Sequence, residues 1–254
     1  MKNIFFCILL SATLFACFDS DKEYTKPVVS SNSIEARWSI INPAIDSVQD
    51  GDLILRCGND HVSFTLKDFS HTEKLYSHSG IALKTDSGIY VYHNMAGDFN
   101  PDEIMRSDRI DSFLTPAKNE AFGIYRYDFT ELERQSLKEI IFEHYKNKLP
   151  FDMNFDLRED KKMYCAEMIA KSVEQATNQR IKFSKSKVTN ELKRKYIKLA
   201  LANKVIYSTK GVDQREFIAL DNLYLNPNCK SVFQHIFLNN VGPVKFPEPE
   251  KTIN

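Results

Sequence analysis

Two apolar, β-prone runs flank a short polar turn, and this pairing restricts the fold more than any other feature of the chain. Tyr76-Ser77-His78-Ser79-Gly80-Ile81-Ala82-Leu83 leads through Lys84-Thr85-Asp86-Ser87-Gly88 into Ile89-Tyr90-Val91-Tyr92-His93. Runs of this composition joined by a glycine-containing turn read as an antiparallel hairpin. Pairing about the turn brings His93 level with residues 78–80, so two imidazoles are expected at one end of a sheet. Two more strands are expected to join them. Leu53-Ile54-Leu55 follows the turn signal Gln49-Asp50-Gly51-Asp52, and Ala121-Phe122-Gly123-Ile124-Tyr125-Arg126-Tyr127 follows a long polar stretch.

Helices are expected around that sheet. Thr130-Glu131-Leu132-Glu133 has the form of a capping box, and Leu132, Leu137, Ile140, Ile141, His144 and Tyr145 then mark a helix ending near Lys148, before Pro150. A second begins at Met163-Tyr164-Cys165-Ala166, just after the charged loop Arg158–Lys162, and continues through Ile169, Val173 and Ala176. Beyond residue 180, Lys193, Arg194, Lys195 and Lys198 interleave with Leu192, Tyr196, Leu199 and Leu201, which reads as a basic amphipathic helix with a solvated face. Trp38 to Ile45 is expected as a short helix or packed arm, residues 57–74 as irregular, and Ala96 to Pro116 as a long loop containing Arg106-Ser107-Asp108-Arg109. Phe217 to Leu220 reads as a last strand and Asn222 to Leu225 as a closing turn. The sum is a compact domain mixing strands and helices.

Charge and the N-terminus bound the setting. Of 254 residues, 34 are basic and 34 acidic, and this balance argues against a nucleic-acid binder, which needs a basic excess. Outside the first sixteen positions no apolar run is long enough to span a bilayer. Lys2, the apolar run Ile4–Leu10 and Leu14-Phe15-Ala16-Cys17 form a secretory signal peptide over residues 1–16, in a pattern similar to a bacterial lipobox. Cleavage before Cys17 would leave that thiol for lipid attachment. The expected layout is a lipidated N-terminus and flexible tether over 17–35, one domain over 36–238 and a mobile tail over 239–254. The expected product is an exported, membrane-anchored monomer of the bacterial cell envelope.

Of five cysteines, Cys57, Cys165 and Cys229 then remain in the domain, too few for a disulfide framework, with a Cys57–Cys229 pairing left open. No spacing of a zinc site is present, so no metal is expected. Cys165 stands at a helix N-terminus, where free N–H groups and the helix dipole favour a thiolate; the alternative reading is a buried small hydrophobe. A nucleophilic thiolate needs an imidazole within reach and a group to hold that imidazole. Among six histidines, His78 and His93 alone share a strand pair, and they are the candidates for base and orienter. His61, His71, His144 and His235 read as loop or helix-face residues, and Asp52 as a turn or strand-end residue.

Gly51-Asp52-Leu53-Ile54, Ser77-His78-Ser79-Gly80-Ile81, Val91-Tyr92-His93 and Tyr164-Cys165-Ala166-Glu167-Met168-Ile169, in that order, resemble the circularly permuted NlpC-type papain-like hydrolases, specifically the YiiX-like branch. Histidine precedes cysteine, the reverse of ordinary papain-like enzymes, and the likeness covers roughly residues 46–235. The resemblance implies an α+β fold, an antiparallel sheet or small barrel packed against helices that include the cysteine-bearing one. It implies Cys165 as nucleophile, His78 as general base and the Cys165 N–H as oxyanion donor. His93 takes the third position, where relatives of this branch often carry glutamate and the lecithin:retinol acyltransferase relatives carry histidine. Tyr164 either meets substrate or packs inward. No metal or organic cofactor is needed. The implied activity is a thiol hydrolase acting through an acyl-enzyme on a peptide-like amide such as a cell-wall peptide. The alternatives are a lipid acyltransferase or ester hydrolase, and a non-catalytic lipoprotein that binds peptide or lipid.

Overall fold

A computed structural model describes residues 33–96, 103–202 and 215–237. The expected signal peptide, Cys17, nearly all of the tether and the tail from residue 239 lie outside the described residues. In chain order the elements are α1 (Ile34–Asp46), β1 (Leu53–Gly58), α2 (His61–Lys67), β2 (His78–Thr85), β3 (Gly88–His93), β4 (Arg106–Arg109), α3 (Ile110–Phe113) and β5 (Asn119–Tyr127). They continue as α4 (Glu131–Lys146), α5 (Cys165–Ala176), β6 (Ser186–Lys187), α6 (Asn190–Ala202), β7 (Glu216–Phe217), α7 (Leu220–Tyr224) and β8 (Cys229–Ile236).

Six strands form one antiparallel sheet in the order β4-β3-β2-β1-β5-β8. The β2–β3 hairpin turns at Asp86-Ser87, with Thr85 facing Gly88 and Ile81 facing Tyr92. Gly88 closes that turn at φ +128°, a backbone conformation open mainly to glycine. Alternation along the strands separates two cores. Leu53, Leu55, Ile81, Leu83 and Tyr92 face α4 and α5, where Leu137, Ile141, Met168, Ile169 and Val173 are buried. Ile54, Ala82, Val91, Phe122 and Ile124 face the other way, onto Ile41 and Ala44 of α1 and Ile110 and Phe113 around α3. Each fully buried aliphatic side chain of this size contributes about 1.5–3 kcal/mol by leaving water. The Thr130 capping box is formed, with Glu133 N donating to Thr130 Oγ1 at 3.2 Å and Thr130 N donating to Glu133 Oε2 at 2.7 Å.

Several segments differ from what their composition predicts. Residues 57–74 contain α2, whose N-cap Asp60 accepts from Ser63 N at 2.9 Å. The long loop expected after Ala96 contains β4 and α3, because Arg106–Arg109 finds its backbone partners on β3. The strand at Phe217 stops there, and Leu220 opens α7 instead. β8 went unexpected because it is a half-exposed edge strand without an apolar face, and it carries His235, which is therefore neither on a loop nor on a helix. Cys57 pairs with Ala121 and Cys229 with Tyr127, at opposite ends of β5. At about 3.4 Å per residue the two thiols are too far apart to bridge, and both are free. Asp52 is fully buried and serves as a strut, taking both Arg126 Nε and Nη2 at 2.7 Å.

Candidate active site

The hairpin brings His78 and His93 together at one end of the sheet, as the sequence implies. His78 Nε2 stands 2.9 Å from His93 Nδ1, and both rings are buried. Glycine at position 80 makes the approach possible: a Cβ there would stand 2.5 Å from Val91 Cγ1 and 3.0 Å from His93 Cβ. The Phe113 ring lies against both imidazoles, at centroid distances of 5.7 Å from His78 and 5.0 Å from His93. A third member escaped the sequence reading. Asp108 on β4 places Oδ2 3.1 Å from His93 Nε2. Its strand is entirely polar, so nothing in composition marks it, and only the β3–β4 pairing brings it to the site.

The direction of this relay follows from its charges. Burial lowers the pKa of His78 well below the ordinary imidazole value, helped by the charges of His93, Arg56 and Arg106. Burial also lowers that of His93, against the pull of Asp108. The hydrogen bond from His93 holds the Asp108 carboxyl below its usual range. At neutral pH the chain is therefore carboxylate, neutral imidazole, neutral imidazole. A carboxylate only accepts, so His93 donates through Nε2 and its Nδ1 becomes an acceptor. His78 must then donate through Nε2, which leaves its Nδ1 as the basic lone pair. This tautomer is assigned from the network of partners.

Cys165 is the first residue of α5 and is partly exposed. Its sulfur meets the hydroxyl and backbone of Ser79 and the N–H groups of Cys165 and Ala166. The Ser79 hydroxyl is fully buried and has no partner of normal hydrogen-bond geometry. Desolvation pushes the thiol pKa up, and Ser79 and the backbone N–H groups only oppose this. This desolvation acts against the thiolate that the helix terminus favours. Alternation turns the Ser79 side chain toward α5 and that of His78 toward Phe113. No hydrogen bond joins Cys165 to His78 among the described residues.

Tyr164 takes the inward of its two expected roles and is not a substrate contact. It is 2% exposed, its ring centroid lies 4.8 Å from that of Phe155, and its hydroxyl oxygen accepts from Ile218 N at 2.6 Å. Two other residues unmarked in the sequence position Cys165. Buried Asn94, next to His93, donates to Met163 O at 2.8 Å and so ties the histidine strand to the entrance of α5. Glu167 Oε1 lies 2.7 Å from Lys171 Nζ, and its Oε2 accepts from Tyr164 N at 3.4 Å. Burial pushes the Glu167 carboxyl up to about 8 against the pull of Lys171. His61, His71, His144 and His235 lie elsewhere and join neither group.

An antiparallel sheet backed by a cysteine-led helix, with the histidine strand ahead of the cysteine in sequence, defines a permuted papain-like protein of the cysteine-hydrolase class. More particularly, the family described as "Permuted papain-like amidase enzyme, YaeF/YiiX, C92 family" matches residues 47–224, and the chain belongs to it. Among solved structures, the crystal structure of metalloprotein YiiX from Escherichia coli O157:H7 is similar at a TM-score of 0.58 and 18% identity, over 74% of this chain and 98% of that one. That similarity bears on the fold. No curated protein matches the chain. Among the described residues no three or more His, Cys, Asp or Glu side chains are grouped to hold a metal ion. The two imidazole nitrogens best placed to share one are instead engaged with each other.

Proposed function

We propose that the protein hydrolyses a peptide-like amide through a thioester on Cys165. The observation that carries this reading is the Asp108–His93–His78 relay, which leaves His78 Nδ1 as a lone pair in an amidase-family fold whose cysteine opens a helix. His78 takes the thiol proton as sulfur attacks the carbonyl carbon, and the carbonyl oxygen becomes an oxyanion facing the N–H groups of the α5 terminus. The same proton passes to the leaving amine as the C–N bond breaks, which leaves the acyl thioester. Water, deprotonated by His78, then attacks the thioester, releases the carboxylic acid and restores the thiol. Thiol and imidazole must close to hydrogen-bond distance for the first transfer, and catalytic hydrogen bonds commonly tighten only with substrate bound.

A cell-wall peptide is the leading substrate, with Cys17 as a lipid anchor holding the enzyme at the cell envelope. The histidine at position 93 favours lipid acyl transfer or ester hydrolysis as the second reading, since that is the residue of the acyltransferase relatives. The deciding experiment offers peptidoglycan fragments and acyl lipids in parallel to the wild-type chain and to Cys165→Ala. New amine termini from the fragments, lost in the variant, are expected. Acyl transfer or ester cleavage alone would favour the second reading, and turnover undiminished in Cys165→Ala would overturn both. Fatty-acid labelling in cells, lost in Cys17→Ser, tests the anchor.

A further inference from the structure

We propose that Arg56 holds a substrate carboxylate beside the reacting thiol, so that the preferred amides carry a free carboxylate next to the scissile bond. The inference rests on the cysteine-hydrolase reading above and narrows its substrate class. Arg56 lies directly opposite His78 in the β1–β2 register and so shares its face of the sheet. Its guanidinium carbon stands 4.6 Å over the centroid of the Phe113 ring that also lies against His78 and His93. Its polar contacts are few. Among the described residues Nη2 reaches only the Met95 sulfur, at 3.8 Å, and Nε is fully buried with no partner.

No carboxylate lies within ion-pair distance of Arg56 among the described residues. The two whose charges it feels are engaged elsewhere, Asp108 with His93 and Asp60 with the first turn of α2. Elsewhere guanidiniums reach oxygen acceptors through their terminal nitrogens: Arg126 forks onto Asp52, Arg37 donates to the carbonyls of Pro116 and Asn119, and Arg215, whose Nε is orphaned as that of Arg56 is, still donates through Nη1 to Asn154 O. A desolvated guanidinium without a counter-charge is costly, and a ring face returns only part of that cost. The exception lies within the site, opposite His78 and over the ring that packs on both imidazoles. Its planar fork matches a carboxylate, which would accept two parallel hydrogen bonds from it.

The test needs no knowledge of the natural substrate. Iodoacetate and iodoacetamide both alkylate a thiolate, joining sulfur to the reagent's methylene carbon and releasing iodide, and they differ in carboxylate against carboxamide. The full chain is treated with each at about pH 9, where an accessible thiolate is populated. Mass spectrometry of the Cys165 peptide then separates that thiol from Cys57 and Cys229. The iodoacetate-to-iodoacetamide rate ratio is expected to exceed that of glutathione by at least about tenfold, with saturation in iodoacetate. It is expected to fall to the glutathione value in Arg56→Gln and partway in Arg56→Lys. A wild-type ratio at the glutathione value overturns the role of Arg56, and since it is read without a variant, a misfolded Arg56→Gln leaves the question decided. With amide turnover intact, that result leaves the catalytic reading standing. A Cys165 that neither reagent modifies overturns the role of Arg56, and the catalytic reading falls with it when amide turnover is absent as well.

Discussion

The two faces of β2 are built on different terms. On the α5 side, Ile81 and Leu83 are closed over by Met168, Ile169 and Val173, and every one of these side chains is fully buried and apolar. On the other side, Ala82 continues into an apolar core, but toward the strand start Gly80 and His78 give way to imidazoles, a carboxylate and a guanidinium. The first face stabilises by leaving water; the second spends stability to hold polar groups in one arrangement. The proposed chemistry thus sits where the sheet loses its apolar cover. The thiol is delivered to that place from the better-packed side, by a helix that the first face anchors.

Substitutions should separate the two faces. His78→Gln is expected to lower amide turnover by about 10²–10⁴-fold, the range of a lost general base, while the denaturant midpoint stays near that of the wild type. Ile169→Ala, in the fully buried row of α5, should instead destabilise by about 2–5 kcal/mol, read as a shift of the midpoint at constant slope. If the two variants lost equal stability, the distinction between the faces would fail. Gly80→Ala forces Val91 or the Tyr92 carbonyl to move, at about 1–3 kcal/mol, and should cut turnover as well because His93 is the next neighbour of the added methyl. A variant that lost stability but kept full turnover would show that the relay tolerates displacement.

The most gradual effect is acid sensitivity. His78 and His93 both have pKa values below the ordinary 6.5 in the folded state, chiefly through burial. Below about pH 6.5 the unfolded chain binds imidazole protons that the folded one refuses, so the contribution of each imidazole to stability falls as pH falls, by up to about 1.4 kcal/mol per pH unit. Glu167, its carboxyl pushed up to about 8, contributes the opposite slope in every variant, so the effect is read as a difference: from pH 7 to 5 the wild type should lose melting temperature relative to His78→Gln. An equally steep decline in that variant would place the acid-sensitive groups elsewhere.

Much of the first face is legible in sequence. The strand of Ile81 and Leu83, the capping box at Thr130 and the helical spacing of Ile169, Val173 and Ala176 each follow from a local periodicity. The hairpin likewise gives away His78 and His93, because a short turn fixes which residues face each other. Asp108, Asn94 and Arg56 are hidden for the opposite reason. Each sits in a segment whose local pattern is ordinary, and its role depends on a partner reached through chain reversal or strand pairing. Tyr164 shows the same limit: beside Cys165 in the chain, substrate contact and inward packing are both open to it, and the hydrogen bond from Ile218 N goes with the inward one.

Local periodicity and turn chemistry therefore determine the β2–β3 hairpin, β1, β5, α4 and the Cys165 helix, together with the face on which their apolar side chains lie, since all of these depend on near neighbours in the chain. The tertiary structure decides the rest: that Asp108 completes the relay and so fixes which nitrogen of His78 is basic, that Arg56 is left without a counter-charge among the described residues, and that desolvation raises the pKa of the Cys165 thiol. Those properties depend on which groups are brought together across the sheet and how much water is removed around them. Neither quantity is written in any one segment.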